Sequence, residues 1–355
     1  LPSKPLDISD ELCSLLEHLS DSSPQMRMSA ARQIAEFSQF ITSSEKPILL
    51  LQLKNMLLNG TEQSDFVFGL HALGKVASGP MPTHVTSNIP FTKKDAVEIV
   101  FEACTLDWVS EQLDQAKIVK AGVKAITAIA EGSPEQVQCK LFEGLSRKSE
   151  TARMVALTSI FVLDLNTPEA IRKVALSTMD TNSNVRFRAE ETFRKISRFG
   201  SPLRNIILCR TPREARNAAE ILLNQKSPDI DSFKALAVVS FLRGTEKGKE
   251  CINLMLERNL LRETDIEKHE KEARESCFTS GMEARLGRRK RQLRSKLFAM
   301  QLGHGMDLGM GSSTLPRWGQ GRFREPSKPS HPHKRRSSIP PRSGALGATP
   351  GKLLN

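Results

Sequence analysis

A chain of 355 residues, 39% hydrophobic and 26% charged, has room for up to three ordinary domains or for one elongated repeat domain whose outer faces stay wet. With no Tyr and only two Trp, Trp108 and Trp318, it is poorly supplied for a β-sandwich or an aromatic stacking platform. The net charge of +12 is lopsided: residues 1–280 carry 36 Lys/Arg against 37 Asp/Glu and residues 281–355 carry 16 against 3, so the excess belongs to the C-terminal segment and points to an anionic partner.

In chain order, Met26-Arg27-Met28 opens a run with Ala30, Ile34 and Phe37 spaced for one face of an α-helix. Two looser hairpins follow, Glu45 to Ala77 and Thr92 to Ala130, joined by the Pro-containing stretch Gly79 to Pro90, which reads as a surface loop. The helical face recurs as Ala152-Arg153-Met154 with Ala156, Ile160 and Leu163, as Val185-Arg186-Phe187 with Ala189, Phe193 and Ile196, and more weakly as Ala215-Arg216-Asn217 with Ala219 and Leu223. The small Ala sits where a neighbouring helix must come close, and the Arg of each first turn (Arg27, Arg153, Arg186, Arg216) lies on a flank that reaches a carboxylate or carbonyl of the adjacent repeat. The last three copies are 33 and 30 residues apart, enough for one helical hairpin each. Ser133-Pro134, Thr167-Pro168, Ser201-Pro202 and Thr211-Pro212 supply hydroxyl caps and first-turn prolines for the intervening helices, and Asp229 to Arg243 and Lys247 to Arg258 continue the array.

These φ-Arg-φ-x-Ala second helices resemble HEAT repeats, including the HEAT-like repeats of phycobilisome lyases. The resemblance covers residues 10–258 and implies an all-α fold, a right-handed α-solenoid of the armadillo-like kind, without specifying a function.

Beyond Asn259 the texture changes. Arg262 to Met300 reads as one charged helix (the 259–300 segment), mixed in sign to begin with and basic from Arg285 to Lys296, with Leu286, Leu293, Leu297 and Met300 as a thin stripe for weak docking. Residues 301–355, rich in Gly, Pro and Arg, have no periodicity, and their composition predicts an extended tail that gains order along a partner.

Candidates for chemistry are scattered. No P-loop, GxGxxG, GxSxG or HExxH motif occurs, and the histidines, His18, His71, His84, His269, His304, His331 and His333, lack metal-ligand spacing. No catalytic residue, metal ligand or cofactor is assigned. The cysteines (Cys13, Cys104, Cys139, Cys209, Cys251, Cys277) form no CxxC pair and read as reduced core thiols. The resemblance to lyases leaves thioether attachment of a bilin as the alternative for them. No apolar run approaches the roughly eighteen residues of a bilayer span. The expected location is intracellular, in the cytoplasm or in an organelle such as a chloroplast or mitochondrion, with Leu1 as a processed start or a fragment edge.

The candidate partner-binding residues are therefore cationic. Arg285, Arg288, Arg289, Lys290, Arg291, Arg294 and Lys296 form one group; Arg317, Trp318, Arg322, Phe323 and Arg324 form a second; Lys334, Arg335, Arg336 and Arg342 form a third, beside the phosphorylatable Ser337 and Ser338. The leading expectation is a non-catalytic scaffold or linker subunit of a large assembly, its solenoid binding protein and its tail binding an acidic protein surface or RNA. A ribosomal or other ribonucleoprotein subunit, a phycobilisome linker and a bilin lyase or isomerase are the alternatives. No membrane span and no small-molecule substrate are expected.

Overall fold

The computed structural model describes residues 8–81, 91–106, 113–225, 229–275 and 280–306. Leu1–Leu308 form one unit and Gly309–Asn355 a second, which lies outside the described residues. Among the described residues there are sixteen α-helices and no strand: α1 (Ile8–Leu19), α2 (Pro24–Phe37), α3 (Lys46–Asn59), α4 (Gln63–Ser78), α5 (Lys93–Cys104), α6 (Gln115–Ile129), α7 (Glu135–Gly144), α8 (Glu150–Val162), α9 (Pro168–Ser177), α10 (Ser183–Ile196), α11 (Pro202–Leu208), α12 (Pro212–Asn224), α13 (Ile230–Arg243), α14 (Glu246–Glu257), α15 (Glu263–Glu275) and α16 (Ser280–Met306).

Each odd-numbered helix packs on the even-numbered helix that follows it, which makes eight hairpins. The even helices α2, α4, α6, α8 and α10 lean each on the next, as do the odd helices α1, α3, α5 and α7. The fold is an α-solenoid with its core as a sheet of side chains between two rows of helices. Ala30, Ile34, Ala156, Ile160, Ala189, Phe193 and Ala219 are all buried, as the shared face requires. Each large side chain in that seam contributes about 1.5–3 kcal/mol by leaving water. Met26 and Phe37 depart from the pattern and stay partly exposed, because α2 opens its row and has an even-numbered neighbour on one side alone. Close approach is visible at α4 and α6, where a Cβ on Gly74 would stand 2.8 Å from the Ala125 Cα.

Helix starts follow the expected hydroxyls in two of four cases. Thr167 accepts from the Ala170 N–H, and Thr211 forms a capping box with Glu214. Ser133 instead accepts from Lys93 Nζ at 3.2 Å, and Ser201 reaches Asp229 Oδ2 at 3.3 Å, so these two hydroxyls link hairpins. Where a long-range partner is in reach, the local cap loses.

The repeat arginines act as rungs. Nη1 of Arg27 donates to the carbonyls of Asp21 and Ser22 at 2.8 and 3.0 Å, while its Nε and Nη2 grip Asp65 of the next hairpin at 3.1 and 2.7 Å. Arg153 repeats this, with Nη1 on the Arg147 and Lys148 carbonyls and the Nε/Nη2 edge on Asp180, an ion pair whose two side chains are each 4% exposed. A planar fork on a carboxylate fixes direction as well as distance, so each rung sets the offset between successive hairpins. Arg186 keeps the carbonyl clamp, on Asp180 and Thr181 at 2.8 and 2.9 Å, but forms no ion pair among the described residues. Arg216 lacks the carbonyl clamp but still reaches the next hairpin, holding Glu250 and Glu257 of α14 at 3.7 and 2.5 Å beside Glu220 of its own helix at 3.5 Å.

Candidate binding surface for an anionic partner

The charged segment expected as one helix from Arg262 to Met300 is two helices, α15 and α16, lying against each other. Their pairing runs antiparallel: Lys290 meets Glu270, and Arg294 meets Glu267 at 3.0 Å and Glu263. Acidic and basic halves that look separate along the chain thus neutralise each other across a hairpin. Both helices also pack on α13, where Leu286, Leu293 and Leu297 are buried and Met300 is partly so. The thin stripe is fully used, and docking is far closer than its width suggests.

Polar contacts fix α15 in turn. Lys234 of α13 pairs with Asp265 at 3.3 Å, and Arg172 of α9 pairs with Glu272. His269, 2% exposed, holds Glu272 Oε2 through Nδ1 at 3.0 Å. Burial alone would raise the Glu272 carboxyl, but the hydrogen bond from His269 and the charge of Arg172 outweigh it and hold it below the ordinary carboxylate range. Glu270 is held low in the same way: burial opposes, and hydrogen bonds from Lys290 and Arg274 prevail.

The seven cations of the first basic group consequently divide. Arg289, Lys290, Arg294 and Lys296 are anchors: Arg289 Nη1 donates to the Leu242 carbonyl at 3.3 Å, and Lys296 reaches Asn253 at 3.2 Å and lies 5.9 Å from the centre of the Phe241 ring. Gly244 makes room for this. It ends α13 with φ 85°, a left-handed turn, and a Cβ there would run into the Arg289 guanidinium. Arg285, Arg288 and Arg291 are exposed and form no ion pair among the described residues. Arg288 and Arg291 lie on the side of α16 opposite Leu286 and Leu293, with Ser295 and the 64% exposed Phe298, and Arg285 lies on its flank. Arg317, Trp318, Arg322, Phe323, Arg324, Lys334, Arg335, Arg336 and Arg342 lie outside the described residues.

Among the other sequence candidates, Cys104 and Cys251 are core thiols pushed up to about 12 by burial, whereas Cys13 and Cys139 are exposed on the outer faces of α1 and α7. The expectation of core thiols holds for the first pair and fails for the second, because the odd helices keep an outer face in solvent. Among the described residues no His, Cys, Asp and Glu group has metal-binding proximity, and no helix is long and apolar enough to cross a membrane.

No protein-family model matches the chain, and no curated protein matches it. Among solved structures it is similar to two engineered proteins of the Northeast Structural Genomics Consortium. One is 14% identical with a TM-score of 0.28, covering 82% of this chain and 97% of that one. The other is 16% identical with a TM-score of 0.28, covering 83% and 82%. At these scores neither bears on what the chain binds.

Proposed function

We propose that this chain is a non-catalytic scaffold of a multi-subunit assembly, a HEAT-like stack that grips a protein component and carries a cationic C-terminal face for an anionic one. The division of labour along α16 carries this reading. Four cations are spent holding the helix, yet Arg285, Arg288 and Arg291 stay exposed and without an ion pair among the described residues. Charges retained in solvent without an internal partner cost self-repulsion, and a complementary surface relieves it. Exposed Phe187 on α10 and Ile221 on α12 supply apolar contacts for a protein partner.

RNA is favoured over an acidic protein as the second component by one observation. Phe298 is exposed one turn past Arg294 and two past Arg291, and an aromatic face next to guanidinium groups suits an unstacked base.

The test is a salt series of binding to single-stranded RNA and to polyglutamate. It compares the full chain, a chain ending at Leu308, and the triple variant Arg285→Ser/Arg288→Ser/Arg291→Ser. A break before α16 is unsuitable, because Leu286, Leu293 and Leu297 belong to the core. The triple variant is expected to flatten the dependence of log K on log salt for RNA by about 0.7 per lost phosphate contact. Equal affinity and equal slope for all three proteins would refute the reading.

A further inference from the structure

The row of even-numbered helices that runs from α2 is interrupted after α10. No contact comparable to those of the other even-numbered neighbours joins α10 to α12, and α9 packs directly on α13. A cavity of about 670 Å³ occupies that lapse, bounded by the start of α10, the start of α12 and the turn from α13 to α14. Its charged lining is Asp180, Arg186, Arg210, Arg243, Glu246 and Lys247.

Both acids are already engaged. Asp180 is held in the buried pair with Arg153, and Glu246 pairs with Lys249 at 3.4 Å. Lys247 donates to the Cys209 carbonyl, a neutral acceptor that leaves its charge uncancelled. Glu214, outside the lining, partly offsets Arg210, but its carboxylate accepts from the Arg210 and Thr211 backbone N–H groups. The cavity is therefore cationic.

Its geometry follows from the rungs. In Arg27 and Arg153, two carbonyls fix Nη1 and the Nε/Nη2 edge receives a carboxylate from the next hairpin. Arg186 has the same carbonyl clamp, so its edge is held in readiness, and no carboxylate meets it among the described residues. Asp180, which receives the Arg153 rung, stands six residues before Arg186, the arginine of the next copy; six before Arg216, the arginine of the copy after that, stands Arg210. A cation thus lines the cavity at the place that would answer Arg186 as Asp180 answers Arg153.

We propose that this cavity binds a phosphomonoester dianion, which takes the place of the missing carboxylate on Arg186 and is held from the facing side by Arg210 and Lys247. A phosphomonoester brings close to two negative charges and three acceptor oxygens, which suits converging guanidinium groups better than the single charge of a carboxylate. A concave site with one focus also suits a terminal phosphate better than the evenly spaced diesters of a polymer, which need a track. The site is separate from the outward face of α16, so its failure leaves the proposed scaffold function untouched.

The test is calorimetric titration of the full chain with inorganic phosphate, with a phosphoserine peptide and with the same peptide unphosphorylated, beside thermal unfolding of each protein. The informative variant is Arg210→Asp, which returns a carboxylate to face Arg186. It is expected to unfold at a higher temperature than the parent without ligand, while binding phosphate at least about tenfold more weakly, the loss of one charge-assisted contact. Lys247→Met is expected to weaken binding by a similar factor. Tighter binding of the phosphopeptide identifies the source as a modified protein, and equal binding identifies a free organic phosphate. The proposal is overturned if Arg210→Asp binds phosphate as well as the parent, if the parent binds neither phosphate form, or if an oligonucleotide lacking a terminal phosphate competes equally with phosphate.

Discussion

From α1 to α10 and from α11 to α16 the same helical hairpin is used in two ways. In the front part the even helices form an unbroken row, and the rungs at Arg27 and Arg153 each end on an aspartate supplied by the next hairpin. In the rear part the row breaks after α10, Arg210 faces the cavity that Arg186 also lines, and α16 turns three arginines outward. In the front the rungs of Arg27 and Arg153 are compensated internally; from Arg186 onward some cations are left to be compensated by something else. A repeat architecture tolerates this because each hairpin depends chiefly on its neighbours, so a rung can be given up locally.

Breaking the front should have the largest effect. Asp180→Ala strands the Arg153 guanidinium in a site from which water is excluded, and is expected to cost about 3–5 kcal/mol in chemical denaturation. Asp65→Ala should cost less, since Arg27 keeps 12% of its side chain in solvent.

The rear offers a smaller, sharper break. Gly244→Ala forces a side chain onto a left-handed residue and into Arg289, and is expected to cost about 1–3 kcal/mol. The loss should show in hydrogen exchange as faster amides in α16, with α4 and α6 unchanged.

Acid should separate the two parts more gently. Glu270 and Glu272 have folded pKa values below their unfolded ones, so their stabilisation is complete above the ordinary glutamate value of about 4.3 and is lost as pH falls through the lower folded values. The α15–α16 hairpin is expected to exchange faster over that acid window. In the front, Glu98 is also held low, its burial outweighed by Arg147 and Lys140, so a local effect at α5 and α7 should accompany it. Loss of the whole front row at the same pH as α16 would contradict the distinction.

The smallest expected effect on stability is that of Arg285→Ser/Arg288→Ser/Arg291→Ser, within about 0.5 kcal/mol of the parent by thermal unfolding, because these side chains are exposed and make no ion pair among the described residues. A clear destabilisation would mean that the outward face is structural.

Much of the stack was legible residue by residue. The Ala and Ile positions of α2, α8 and α10 carry the 3.6-residue period, and Thr167-Pro168 and Thr211-Pro212 mark helix starts, because local sterics and caps act over a few residues. The fold-back of α15 on α16 was not read. Helical periodicity runs through both, and nothing local tells whether Glu270 and Lys290 belong to one rod or to facing ones. The candidate surface was read in part: the cationic run was plain, but the split between Arg289, an anchor on Leu242, and Arg288, an outward charge, depends on where α13 ends. The cavity was not legible, because the place six residues before the repeat arginine holds Asp21 and Asp180 in two copies and Arg147 and Arg210 in the other two, and only the Arg153–Asp180 pair shows what an acid there does.

What the amino-acid order determined alone is helix, turn and apolar face, since these depend on backbone sterics and on neighbours three or four residues away. Which charges find partners was decided by the tertiary structure, since ion pairs such as Arg172 with Glu272 join residues a hundred positions apart, brought together by the packing of whole helices. That packing alone separates the cations that hold this protein together from those it leaves for others.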